Sequence, residues 1–166
     1  MSRITAGPVP DHTLLSRYRE RRAYMDAYWL HVQGAPTLPN YIEAFYTTPL
    51  FGLERFVLNF VGKPSSDAEA RDMAQGKSDR FAAWTVEART DNEILLCDYL
   101  SRTRSWLMCE RAAGWTRLYF GSAIVPRRVT ADGRAELGSA FHALLGFHRV
   151  YSRALLRAAA NRLQAD

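Results

Sequence analysis

Four runs of β-forming residues follow one another between Phe81 and Ile124, and they constrain the fold more than any other stretch. Phe81–Ala88, Ile94–Leu100, Thr103–Glu110 and Trp115–Ile124 are rich in Trp, Tyr, Phe, Ile, Leu and Thr. Thr90-Asp91-Asn92, Ser101-Arg102 and Arg111-Ala112-Ala113-Gly114 separate them. Such runs bounded by turn residues predict an antiparallel meander.

The spacing also predicts the faces. A two-residue turn at Ser101-Arg102 sets Leu100 opposite Thr103, and directly opposed residues share a face. One face then carries Ile94, Leu96, Asp98, Leu100, Thr103, Ser105, Leu107 and Cys109. Closing the next hairpin over residues 111–114 sets Glu110 opposite Trp115. That adds Thr116, Leu118, Phe120, Ser122 and Ile124 to the same face. The other face holds Arg104, Trp106, Glu110, Arg117 and Tyr119, and its charges make it the wetter one. The first strand fits with Ala82, Trp84, Val86 and Ala88 inward, given a three-residue turn with Asn92 in the left-handed region. Asp98 is then a carboxylate on a largely apolar face, which is costly without partners.

A chain of 166 residues, 48% hydrophobic and 23% charged, suits a single globular domain with a sizeable core. The formal net charge is +5, but the arginines are scattered and no run of five like charges exists. Nucleic acid is therefore not expected as a partner. No apolar run could span a bilayer. The segment Met1–Gly7 lacks the apolar core of a signal peptide, so a cytoplasmic location is expected. Cys97 and Cys109 fall on opposite faces and read as small core residues rather than as a disulfide.

Residues 1–22 read as an N-terminal arm, loose over 1–10 and polar, with a short helix, over His12–Arg22. Tyr24–Val32 predicts the first strand of the sheet. Asp26 and His31 lie on it at odd spacing and so face opposite ways. Leu38–Thr47 and Leu50–Val61 predict two short helices broken at Pro49. Residues 62–80 are a polar insert. Its Gly76-Lys77-Ser78 would end a phosphate loop only if residue 71 were glycine, and it is Arg71. Pro126–Gly133 reads as a linker. Residues 135–163 carry a helical stripe of Leu137, Phe141, Leu144, Leu145, His148, Ser152, Leu155, Leu156, Ala159 and Leu163.

The order of strand, two short helices, antiparallel strands and long last helix resembles the α+β helix-grip fold of the SRPBCC or START-like superfamily. That resemblance implies a single domain with a helix-grip core over 24–163 and a ligand cavity between curved sheet and last helix. The stretches Phe45-Tyr46-Thr47-Thr48-Pro49-Leu50-Phe51-Gly52-Leu53-Glu54-Arg55, Phe147-His148-Arg149 and Leu155-Leu156-Arg157 are similar to an uncharacterised bacterial family. Its members occur alone or fused behind NAD(P)-binding Rossmann domains, and no activity is established for them. The resemblance implies the fold but no nicotinamide site, and no cofactor is expected.

No HExxH, metal-spaced Cys/His cluster or Gly-x-Ser-x-Gly elbow is present. What remains is a constellation of Asp98 and Ser105 from the sheet with His148 and Tyr151 from the helix. Trp84, Leu107, Leu118, Phe120 and Phe141 would form the walls around it. A few convergent polar groups in an apolar concavity describe a small-molecule pocket. Three functions stay open: binding of a small hydrophobic or aromatic molecule, a cofactor-independent cyclase, isomerase or dehydratase using Asp98 and His148, and a partner- or membrane-surface protein using the Pro49–Val61 helix. A homodimer stays open as well. The sharpest expectation is that Asp98 and His148 approach each other between sheet and helix.

Overall fold

The computed structural model describes residues 2–53, 65–126, 128–129, 135–136 and 139–165, with side chains 128–129, 135–136 and 139–144 outside the description. The chain is α+β. A seven-stranded antiparallel sheet runs β1(Thr5–Gly7), β2(Tyr24–Gln33), β7(Trp115–Ile124), β6(Thr103–Ala112), β5(Glu93–Asp98), β4(Trp84–Arg89), β3(Arg80–Phe81) across its width. Helices α1(Leu38–Tyr46), α2(Asp67–Ala74) and α3(Ser139–Leu163) accompany it. A separate two-stranded ribbon pairs β8(Arg128–Val129) with β9(Ala135–Glu136). Residues 49–53 are also helical, and the rest of the expected Leu50–Val61 helix lies outside the described residues. Helix α3 begins at Ser139, later than the stripe suggested, because Ala135–Glu136 pairs as a strand.

The meander forms, but both hairpins close two residues away from the expected register. Cys97 faces Arg104, so residues 99–102 make the turn, and Ala112 rather than Glu110 faces Trp115. Side chains alternate with period two, so a slip of two leaves every face intact. The inner face therefore carries Ile94, Leu96, Leu107, Cys109, Leu118 and Phe120 as expected.

The first strand differs more. Phe81 pairs with Trp84 across a tight turn in which Ala82 adopts φ 53°, so the run is two strands rather than one. Asp91 and Asn92 form a two-residue turn, closed by Thr90 N–H donating to the Glu93 carbonyl at 2.9 Å. Asn92 is not in the left-handed region. The offset that turns Trp84 and Val86 inward comes from a bulge between Val86 and Ala88. An extra residue in one strand reverses the alternation beyond it. Ala88 therefore packs on the outer face rather than inward. Arg89, on the other side of the reversal, donates to the Met73 and Ala74 carbonyls at the end of α2.

The inner face is covered by α1, α2 and α3. Leu38, Tyr41, Ile42, Phe45, Met73, Leu155, Leu156 and Ala159 join Leu30, Leu107, Leu118 and Phe120 in one core. Arg162 on α3 donates to the Thr47 carbonyl just past α1 at 2.9 Å.

The outer face, expected to be wet, is the floor of a second core. Leu95, Trp106, Met108, Tyr119 and Ala123 are buried there beneath Val9, Leu15 and Tyr18. The segment expected to be a loose arm is thus a structural layer. Its β1 pairs with β2, and a single 3-10 turn spans Ser16–Arg19. Of the charges that suggested water, Arg117 and Glu110 pair at 3.0 Å in the more exposed part of the face, and Arg104 is paired beneath the N-terminal segment. Arg104 Nε donates to Glu87 and to the Tyr18 hydroxyl, both at 2.6 Å. Glu93 Oε2 accepts from Trp106 Nε1 at 2.7 Å and from Leu14 N–H at 2.9 Å.

Gly121 sits under this second core. A Cβ there would lie 2.8 Å from the Asp26 carbonyl, 2.8 Å from the Trp106 ring and 2.9 Å from Leu15. The backbone oxygen cannot step aside as a side-chain end would. Gly121→Ala should therefore lower stability by about 1–3 kcal/mol, read as a fall in urea midpoint at unchanged slope.

Candidate functional site

The sheet register assembles the site from rows of neighbouring residues. One inner-face row runs Leu96, Ser105, Ser122, Asp26 across β5, β6, β7 and β2. The next row toward the sheet's end runs through Trp84 and Asp98 on one side and Thr103, Ile124 and Tyr24 on the other. Helix α3 passes over these rows and brings His148, Tyr151, Ser152 and Leu155 down onto them.

His148 does not meet Asp98. Its Nε2 lies 3.1 Å from Asp26 Oδ2 and 2.9 Å from Ser122 Oγ. Ser122 Oγ in turn donates to Asp26 Oδ1 at 2.6 Å. The hydroxyls of Tyr28 and Tyr24 approach Oδ2 at 3.3 and 3.4 Å. Asp26 is thus the carboxylate that the inner face has to satisfy. Asp98 serves its own turn: Oδ1 accepts from the N–H groups of Arg102 at 2.7 Å and Thr103 at 3.0 Å. An aspartate bonding backbone a few residues ahead stabilises a turn, here one in which Ser101 adopts φ 57°.

Burial pushes the Asp26 carboxyl up, but the hydrogen bonds from His148 and Ser122, the charge of His148 and the Tyr28 hydroxyl outweigh it and hold it below the ordinary value. Tyr28 is driven the other way, by burial first and then by the charge of Asp26. Around this cluster the Arg153 guanidinium lies 5.3 Å from the Tyr28 ring centre, and Arg149 bonds the Tyr24 hydroxyl.

Beside the cluster is a cavity of about 170 Å³. Phe45, Phe51, Phe120, Trp84 and Leu155 supply apolar walls, and Ser105, Ser122, His148, Tyr151 and Ser152 supply polar groups. Of the expected site residues, Trp84, Ser105, Phe120, His148 and Tyr151 line it. Leu107 and Leu118 are fully buried in the core and are not among the lining residues. The Phe141 side chain lies outside the described residues. Sequence reasoning missed Asp26, Ser152, Phe45 and Phe51 as site residues. Asp26 and Phe45 had been assigned to the right elements, a strand and an apolar helical stripe, but nothing in one sequence says which strand neighbours which.

Three of the lining residues each hold one buried polar atom without a partner. Trp84 Nε1, Ser152 Oγ and Arg104 Nη1 are shut from solvent without a hydrogen bond. Ser105 is satisfied by the Tyr46 hydroxyl at 3.0 Å. The Nε of Arg104 bonds Tyr18 and Glu87 on the outer face, which leaves only its Nη1 unpaired among the buried atoms of that guanidinium. His31 is outward, with Arg117 Nε donating to its Nε2 at 3.0 Å.

Burial pushes the Cys109 thiol up to about 12, which leaves it inert at neutral pH. Cys97 and Cys109 are both free. Among the described residues no cluster of three or more His, Cys, Asp or Glu could hold a metal ion. No described helix is long and apolar enough to cross a membrane. No protein-family model, curated protein or solved structure matches the chain.

The depressed Asp26 carboxyl makes a signed prediction. A group whose folded value lies below its unfolded value adds stability above the unfolded value, about pH 4, and loses it as pH falls through the folded one. Asp26→Asn should cost about 1.5 kcal/mol at neutral pH, and the gap to wild type should close below about pH 4 in urea titrations. His148→Ala removes one of several donors to the same carboxylate and should cost about 2 kcal/mol in the same assay.

Proposed function

We propose that this chain binds a small hydrophobic or aromatic molecule in the cavity between the inner sheet face and α3, as a helix-grip protein would. The observation that carries this reading is the cavity of about 170 Å³, in which the apolar walls of Phe45, Phe51, Trp84, Phe120 and Leu155 meet a few polar groups, among them Ser105, Ser122 and His148. A few convergent polar groups in an apolar concavity are the usual make-up of a small-molecule pocket. Size narrows the occupant. An apolar cavity of about 150 Å³ is known to accept benzene, so a space of this size suits one six-membered ring with a small substituent.

A second reading is a cofactor-independent cyclase, isomerase or dehydratase. It draws on His148, which borders the cavity and hydrogen-bonds Ser122 with Asp26 behind it. The arrangement is not that of an activated serine. One histidine nitrogen faces both Ser122 and Asp26, and the serine proton is directed at the carboxylate. A proton relay through His148 and Asp26 is the chemistry that remains.

Native mass spectrometry of the purified protein should detect a retained single-ring molecule. Ser152→Leu should abolish that adduct, because the larger side chain fills the cavity. The same variant should raise stability by about 1 kcal/mol, since it removes an unpaired hydroxyl and adds apolar contact. A variant that keeps the adduct would put the binding site elsewhere. If the enzymatic reading holds, His148→Gln should retain the adduct and lose turnover.

A further inference from the structure

The outward side of α3 is one-sided in its chemistry. From Ser139 to Leu163 the helix contains four arginines and no aspartate or glutamate. We propose that this side docks α3 lengthwise onto the surface of an anionic lipid bilayer. The proposal stands apart from whatever fills the cavity.

Helix α3 rests on the core through Ser152, Leu155, Leu156, Ala159 and Ala160, all buried. On its other side Phe147 and Val150 are 68% and 69% exposed. With the exposed Ala154 they are spaced three and four residues apart, which makes one apolar line along the helix. Arg149, Arg153 and Arg157, each four residues from the next, make a second line beside it. Large apolar side chains scattered singly on a surface are ordinary, but two on one line beside a row of like charges form a patch. Arg149 bonds the Tyr24 hydroxyl and Arg153 lies over the Tyr28 ring. Both partners are uncharged and leave the positive charge in place. Among the described residues none of the three arginines pairs with a carboxylate. Asp26, nearby, is engaged by His148 and Ser122.

Charge decides between occupants. A second copy docked through the same side would bring two rows of arginines together, with no acidic residue on either helix to answer them. Like charges at close range repel. An anionic surface answers them instead. Lipid phosphates accept from guanidinium groups in pairs of parallel bonds. A helix side standing out from the core is convex and has no groove to grip a peptide. A bilayer interface takes in apolar side chains such as Phe147 and Val150 without a matching shape, while arginines beside them keep their heads among the phosphates. No described helix is long and apolar enough to cross the bilayer, so the contact is peripheral.

Co-sedimentation of the full chain with vesicles tests this, using phosphatidylcholine alone and an equal mixture of phosphatidylcholine and phosphatidylglycerol. The chain should sediment with the mixed vesicles and not with the neutral ones, and added salt should release it. Arg153→Gln with Arg157→Gln should weaken binding about twenty-fivefold, about fivefold for each cation near the surface. Phe147→Ser with Val150→Ser keeps the net charge and should weaken binding about tenfold. Each pair tests the face on its own, so the test stands if one of them fails to fold. Lys77→Gln with Arg80→Gln removes the same charge at and beside β3, the edge strand farthest from β2 and β7, and should leave binding within about twofold of wild type. Binding to neither vesicle, no loss from the serine pair, or equal losses from the two glutamine pairs overturns the proposal. Capture of the chain by polyglutamate without vesicle binding also overturns it, and gives the face to an acidic protein. A dimer that the serine pair splits overturns it too, and gives the face to a second copy.

Discussion

The buried carboxylate of Asp26 is the constraint on which the arrangement of helix over sheet depends. It sits on the concave face, where an unpaired charge would be strongly disfavoured. Its partners come from three elements: Tyr24 and Tyr28 on its own strand, Ser122 on the neighbouring strand and His148 on α3. Apolar contacts alone would let the helix slide, because one leucine packs nearly as well as the next. A directional bond from His148 fixes both the rotation of α3 and its depth. Farther along, Arg162 bonds the Thr47 carbonyl and fastens the other end of the helix to the segment after α1. The cavity lies between these two fastenings, bordered by Tyr151, Ser152 and Leu155.

The opposite face follows the same physical rule with different parts. Trp106 is fully buried against the N-terminal segment, and its indole N–H is answered by Glu93. Glu93 in turn receives the backbone N–H of Leu14, which ties the segment down at its centre. Arg104, Glu87 and Tyr18 form a second tie beside it. Gly121 leaves the space into which the Trp106 ring settles. The sheet is therefore packed on both sides, and the inner face is free to be curved and partly hollow.

Much of this was legible in the sequence, and the failures have physical causes. The inner and outer faces of β5, β6 and β7 were assigned correctly even though both hairpins close two residues from where the turn residues suggested, because strand alternation is blind to an even slip. On the first strand, Trp84 and Val86 were correctly turned inward for the wrong reason. A bulge, which leaves no clear mark in composition, does what a three-residue turn was expected to do, and Ala88 lands on the other face. Asp98 draws attention in the sequence because the strand pattern sets it on a largely apolar face, whereas Asp26 shows only that it and His31 face opposite ways. Asp98 is in fact a turn residue, and the left-handed Ser101 beside it was the missing clue. His148 was found by its place on an apolar helical stripe. Its partner was not, because pairing β2 with β7 brings together residues almost a hundred positions apart. Charged Arg104 and Arg117 make the outer face look wet, since composition does not reveal that Glu87 and Tyr18 wait opposite Arg104, or Glu110 and His31 beside Arg117.

The ends of the sheet carry a consequence for how this chain meets copies of itself. Both edge strands are stubs: Thr5–Gly7 on one side and Arg80–Phe81 on the other. Beyond the first stub, the Ser2 hydroxyl takes up the backbone of His31. Beyond the second, the Asp79 carbonyl takes up the N–H of Val86. A growing cross-β stack needs a long row of idle backbone groups as a template. The described sheet presents no such row, so crowding of many copies has no ready route to strand-by-strand polymerisation while the fold is intact.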